Sequence, residues 1–360
     1  MNPAQKAIKL VDQFQKRRPG LSFLAGVWKK FSDDQAGNLA ALIAYYAFVS
    51  IFPLLLILFT VLNIVLRDNQ SLQDKVISSA LTDYPGFGSL LQNSIKSFNE
   101  TGPALVVGVI LTVLGTRGVA NAIQNALNSV WEVPREHRPG FPWSWLRSFG
   151  LILVVGVGEI AISVASGFVS AATFLPGFAL KAAGTAVTLV FNIGLFWLAF
   201  RLATAKAVTW RELAPGAVSG GIVWQILQLV GGYYVTHELV HSQSLYGQTI
   251  GVVLGLIAWL YLQAEATLYV AETNVVWVRK LWPRSLAPPP LTKEDARAYE
   301  MYAQAQDRSK YETVAVHVTP APEDEKMTER DEGATAGSDQ PPVSAGSARG
   351  EEPHDSGDDR

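Results

Sequence analysis

No charged side chain occurs between Leu39 and Leu66, and that absence sets the class of the chain. About 20 apolar residues at 1.5 Å each match a hydrocarbon core of about 30 Å. Residues 38–67, NLAALIAYYAFVSIFPLLLILFTVLNIVLR, therefore read as a membrane-spanning helix. The chain has no cysteine, which excludes a disulfide, a thiolate nucleophile, an iron–sulfur cluster and Cys-ligated zinc. It has no Walker loop and no dinucleotide fingerprint between a strand and a helix. Basic residues are spread over the flanks of several apolar runs, with no dense patch interleaved with aromatics, so nucleic acid is not an expected partner. No apolar core with a small-residue cleavage site follows the basic start, so no removable signal peptide is expected.

What is present is apolar sequence in blocks. Charged residues make up 17% and hydrophobic residues 49% of the 360 positions, and a basic membrane portion is offset by the acidic residues of the tail after Glu323, so charge is informative only by segment. The first span carries Pro53 at its middle, where a missing backbone donor kinks a helix unless neighbours satisfy the freed carbonyl. Tyr45, Tyr46 and Ser50 lie just before it. A second span starts near Pro103 and continues into TRGVANAIQNALNSVW; as one helix to Val130 it is about 42 Å long. Arg117, Asn121, Gln124, Asn125 and Asn128 share one face of that second half, which either protrudes beyond the membrane or lines a wet cavity. Further spans are expected at residues 149–175, 178–203, 209–235 and 247–277. The fifth opens on a capping-box pattern, Thr209 to Glu212, with Pro215 just inside. A short helix is expected near residues 21–31 and another within residues 291–310.

Placing Lys and Arg on the cytoplasmic side gives six spans with both termini inside. Small residues four apart, such as Gly216 and Gly220, are expected to let helices approach closely. From about residue 319 the Pro, Glu, Asp, Gly and Ser content is that of a disordered acidic tail. The domain reading is a basic N-terminal segment at 1–37, a six-helix transmembrane domain at 38–284 and a largely disordered cytoplasmic tail at 285–360.

Two features suggest chemistry. His237, Glu238 and His241 form an HExxH string, which on a helix aims two imidazoles at zinc with the glutamate as general base. As third ligands, Glu265 and Glu272 are poorly placed, about 27 Å and 38 Å along the sixth helix. A zinc protease is therefore only the runner-up reading, with His237 and His241 as its metal ligands, and no metal site, cofactor or enzymatic activity is expected. Ionisable residues inside spans are costly and default to functional hypotheses. Glu159 and Glu265 are the deepest carboxylates, and Glu272 is expected to pair structurally, with Arg117 as its partner.

Three strings carry a resemblance: AYYAFVSIFPLLL from Ala44, NAIQNALNSVW from Asn121 and SLYGQTIGVVLGLIAWLYL from Ser244, with AETN from Ala271. In this order over about residues 29–280 they resemble the YihY/BrkB family of bacterial inner-membrane proteins, once labelled ribonuclease BN. The resemblance implies six helices with cytoplasmic termini, and a link to envelope integrity and lipid movement. As candidate functional positions it implies Tyr45, Tyr46, Pro53, Gln124, Asn128, Tyr246, Gly247, Glu272 and Asn274; Glu265 and the HExxH string depart from the family pattern.

The resulting expectation is an all-α, multi-pass protein of the bacterial cytoplasmic membrane. Its expected work is to transport, or facilitate movement of, a lipid or another amphipathic substrate in envelope maintenance; the alternative is a non-transporting scaffold. Membrane lipids are the expected partners, with homo-oligomer or envelope-protein contacts through helix faces or the tail.

Overall fold

The computed structural model describes residues 3–65, 102–170, 177–234, 248–286, 288 and 291–307. All regular structure in them is helical. Two short helices come first, α1 (Pro3–Lys16) and α2 (Pro19–Asp33). Six long ones follow: α3 (Ala36–Val65), α4 (Gly102–Val130), α5 (Trp143–Ser170), α6 (Gly177–Ala203), α7 (Trp210–Tyr234) and α8 (Gln248–Arg279). A last short helix is α9 (Lys293–Gln304). The long helices have 25 to 32 residues, about 38 to 48 Å, so each exceeds the hydrocarbon thickness. Among the described residues, three stretches are long and apolar enough to cross a membrane by length and composition: Trp143–Ile162, Gly177–Ala203 and Val253–Arg279.

The distribution of side-chain size explains how these helices pack. The interior is rich in alanine: Ala36, Ala40, Ala120, Ala126, Ala203 and Ala271 are all buried. The exterior carries large apolar side chains such as Leu114, Leu153, Ile160, Val190, Ile226 and Leu254. In water that pattern would be costly, but between lipid tails it costs nothing, and small interior residues let backbones approach. Consecutive long helices pack as neighbours, α3 on α4, α5 on α6 and α6 on α7, while α8 packs on α2, α3, α4 and α7. Close approach is literal at two glycines. A Cβ on Gly118 would lie 2.6 Å from the Tyr46 ring, and one on Gly220 would lie 2.6 Å from the Phe196 ring.

Helix α5 begins earlier than the apolar run suggests, at Trp143, directly after Pro142. A proline at the start of a helix loses no intrahelical bond, and the added turns bury Ser148 against α4. Helix α7 opens with the expected capping box: the Thr209 N–H donates to Glu212 at 2.7 Å and the Glu212 N–H to the Thr209 hydroxyl at 3.4 Å. Helices α2, α4 and α8 are followed by non-glycine residues in the left-handed region: Gln35, Glu132 and Lys280, with φ of 51°, 50° and 54°.

Those ends lie where α1, α2 and α9 gather. Phe31 of α2 stacks on Tyr269 of α8 at 3.8 Å between ring centroids, and Phe23 meets Trp282 edge-on at 5.2 Å. The helices that precede the first long one and follow the last are thus on one side of the bundle.

Candidate functional site

The residues of one face of α2 build the site. Phe23, Val27, Lys30 and Asp34 recur every three or four residues, so they point the same way, and that way is inward. Lys30 has a fully buried side chain whose Nζ faces three carboxylates: Asp34 at 2.5 Å, Glu132 at 3.1 Å and Glu272 at 3.5 Å. Asp34 follows α2, Glu132 follows α4 in its left-handed backbone, and Glu272 belongs to α8. The Tyr302 ring of α9 completes the shell 5.4 Å from Nζ. Burial disfavours the Lys30 charge, but Glu272, Asp34 and Glu132 outweigh it and hold the ammonium protonated. Glu132 behaves oppositely: burial pushes its carboxyl above the ordinary range, Lys30 only partly offsets this, and Asp34 adds to it. Neither carboxylate oxygen of Glu272 has a hydrogen-bond donor among the described residues.

A second ionic cluster lies beside the first, with cations in the majority around its central acid. Asp295 of α9 accepts from Lys29 Nζ at 2.8 Å, Arg284 Nε at 3.0 Å and the Ser285 N–H at 2.9 Å. It also closes a capping box with Thr292. Burial alone would raise the Asp295 carboxyl; Lys29, the Ser285 and Thr292 amides and Arg284 overcome this and hold it far below the carboxylate range. Arg284 is fully buried, pairs with Asp33 at 3.0 Å and donates to the Tyr302 hydroxyl at 3.1 Å. Asp12 of α1 accepts the Leu286 N–H at 2.7 Å, and Gln15 donates to the Arg284 carbonyl at 2.8 Å. The chain after α8 is therefore bonded to both helices before α3.

A third polar group is neutral. The Asn128 side chain accepts the Ala205 N–H at 2.8 Å and donates to the Gln124 carbonyl at 2.7 Å. Gln124 donates to the Ser148 hydroxyl at 2.9 Å, which donates to the Ser144 carbonyl at 2.9 Å. These bonds tie α4 to the end of α6 and the start of α5. The polar face expected on α4 is thus divided: Gln124 and Asn128 are buried, whereas Asn121 and Asn125 face outward.

The remaining candidates fall apart from the charge cluster. Arg117 lies over the Trp145 ring at 3.9 Å, so the expected pair with Glu272 is replaced by the Lys30 contact. The reason is reach: the Glu272 turn faces α2, not the middle of α4. Tyr45 is exposed, and Tyr46 packs against Gly118. Asn274 is buried against Gly216, where a Cβ would lie 2.6 Å from its Nδ2, and both of its amide atoms are without hydrogen-bond partners. Pro53 lies within α3; its side chain, together with Tyr246, Gly247, His237, His241 and the acidic tail, lies outside the described residues. Among the described residues no group of three His, Cys, Asp or Glu is arranged to hold a metal.

The family model described as Virulence factor BrkB matches residues 27–291. The chain belongs to that family. It is 25% identical over 260 residues to a UPF0761 membrane protein of Chlorobium phaeobacteroides, covering 69% of this chain and 56% of the relative. A UPF0761 membrane protein of Stenotrophomonas maltophilia is 25% identical over 289 residues, covering 76% of this chain and 65% of the relative. One of Xanthomonas euvesicatoria is 24% identical over 331 residues, with 88% and 73% covered. The chain thus spans less than two thirds of the length of the first two of these relatives. No solved structure matches it.

This BrkB-family chain is a multi-pass, all-helical membrane protein. The matched region begins at Val27 and ends at Leu291, so it includes Lys30, Asp34, Glu132, Glu272 and Arg284. Of these, only Glu272 stands out from sequence. Lys30 had a readable signal, since a lysine seven residues after Phe23 and three after Val27 sits on an apolar face and needs a buried partner. Asp34 four residues on was one such partner. Glu132 carried none, because a polar turn after a span is ordinary.

Proposed function

We propose that this BrkB-family protein facilitates the movement of an amphipathic substrate, a membrane lipid, across or within the bacterial cytoplasmic membrane, with no ATPase of its own. The observation that carries this reading is Asn274, buried between α8 and α7 with neither amide atom hydrogen-bonded among the described residues, two positions from the buried Glu272. A bundle that only anchors would gain by apolar replacements at such positions, and intramembrane polar groups kept at cost mark pathways. Six crossings with cytoplasmic termini accord with this reading: α2 and α9 lie on one side, which supports an even number of crossings, and six helices exceed the membrane thickness. The experiment is lipid scrambling by the purified full-length chain in liposomes. Movement that is lost in Asn274→Leu at normal folding supports facilitation; a wild-type protein that moves no lipid refutes it.

A second reading, a non-transporting scaffold, draws on the folded assembly of α1, α2 and α9, which offers a water-facing surface. It expects no lipid movement, and envelope proteins that bind the full chain and are released by disrupting α9.

A further inference from the structure

The Lys30 cluster contains more acceptors than its cation can serve. Three carboxylates face one ammonium, and the nearest other cations are engaged elsewhere: Arg284 with Asp33 and Asp295, Lys29 with Asp295, and Arg279 with Glu212 at 3.4 Å. Helix α3 contributes apolar Ala36 and Ala40 to the same buried core as Val27 and Phe31 of α2, and the Tyr302 hydroxyl is held by Arg284 and Asp33. Glu272 is fully buried with both oxygens lacking a donor, and its carboxylate, that of Asp34 and that of Glu132 all lie within 3.5 Å of the one Lys30 Nζ, which brings the acids close to one another. Two carboxylates at that range repel. A carboxyl and a carboxylate at the same range form a strong bond.

We propose that the Lys30 cluster is a proton-binding site, in which Glu272 and Glu132 hold one proton between them beside the Asp34 carboxylate. Glu132, whose side chain is 11% exposed, is the member nearest water and the route of exchange. On release, the O–H bond of the shared carboxyl breaks and the proton passes to water or a buffer base. The four groups then change from a net charge of −1 to −2 with little solvent to screen them. The repulsion acts between α2, which carries Lys30 and leads into Asp34, and α8, which carries Glu272. Proton binding therefore docks α2 on α8, and proton loss loosens it. This holds whether or not the protein moves lipid.

The test uses the full-length protein in lipid nanodiscs, with protons as the ligand. Infrared difference spectra across a pH titration report protonated carboxyl groups, and amide hydrogen exchange reports the docking of residues 22–34. The expected result is a carboxyl carbonyl band that disappears on raising pH and is removed or shifted in Asp34→Asn and in Glu272→Gln. Over the same interval, the opening of α2 in the wild type, corrected for intrinsic exchange, rises by up to about tenfold per pH unit. In Glu272→Gln that rise is reduced. A wild-type protein with no titrating carboxyl band, or with α2 protection that ignores pH while the band disappears, overturns the proposal. A band unchanged in Asp34→Asn, Glu132→Gln and Glu272→Gln overturns it equally. The wild-type titration decides even if a variant fails to fold.

Discussion

Two buried ionic clusters share helix α2 and differ in which charge is in excess at their centres. Lys30 faces three carboxylates; Asp295 is held by Lys29, Arg284 and backbone N–H groups. Burial penalises every charge in both. The consequence is opposite. In the Asp295 cluster the donors outnumber the acid, so the carboxylate is stabilised as an anion and works as a lock between the two ends of the chain. In the Lys30 cluster the acids compete for one donor, so part of their charge is unsupported. Neighbouring buried ion clusters can thus be a structural fastener and a titratable element, and the ratio of donors to acceptors decides which.

The largest expected effect comes from removing the cation of the acid-rich cluster. Lys30→Met leaves three buried carboxylates without a counter-charge and costs about 3–5 kcal/mol of stability near neutral pH. The loss is smaller in acid, where the carboxyls protonate, and thermal unfolding in detergent across pH measures both. Asn128→Leu comes next. It strips the partner from the buried Ala205 N–H and costs about 2–3 kcal/mol, with no dependence on pH, since nothing in that group titrates.

The acid-side behaviour of the other cluster sharpens the comparison. Asp295 is depressed in the folded protein, so its contribution is complete above the ordinary carboxylate value and is lost as pH falls toward the folded value. Glu132 is raised, so stability falls as pH climbs from the ordinary carboxylate value through the folded one. Acid is therefore expected to free α9 and residues 281–286 from α1 and α2, read as faster amide hydrogen exchange in α9 after correction for intrinsic exchange, while α2 itself stays docked on α8. The smallest effect is local. Lys280 is exposed with φ of 54°, so Lys280→Gly removes left-handed strain and raises stability by about 0.5 kcal/mol; a small upward shift in melting temperature checks it.

The long helices were legible because their signal is local. The second, fourth, fifth and sixth expected spans start within one residue of α4, α6, α7 and α8, and the Thr209 cap was readable from spacing alone. Close packing at Gly216 and Gly220 was likewise visible as small residues one turn apart. The charge cluster was not. Glu272 was conspicuous as a carboxylate in a span, but its partner lies about 240 positions earlier in sequence, and hydropathy holds no information on which distant turn an acid faces. By depth Arg117 is the nearer cation, but it stacks on Trp145 and Lys30 takes the Glu272 contact. Nor did composition reveal that Arg284, in a basic flank of the ordinary topological kind, is buried between α1, α2 and α9.

At high pH the Lys30 cluster carries one acid too many. The stability of Glu272→Gln against wild type as a function of pH decides this, because glutamine mimics the protonated acid at every pH. Near-equal stability is expected in acid, with the variant becoming the more stable protein as pH rises. A Glu272→Gln protein destabilised by the same amount at every pH would show an ordinary salt bridge with Lys30 and contradict it.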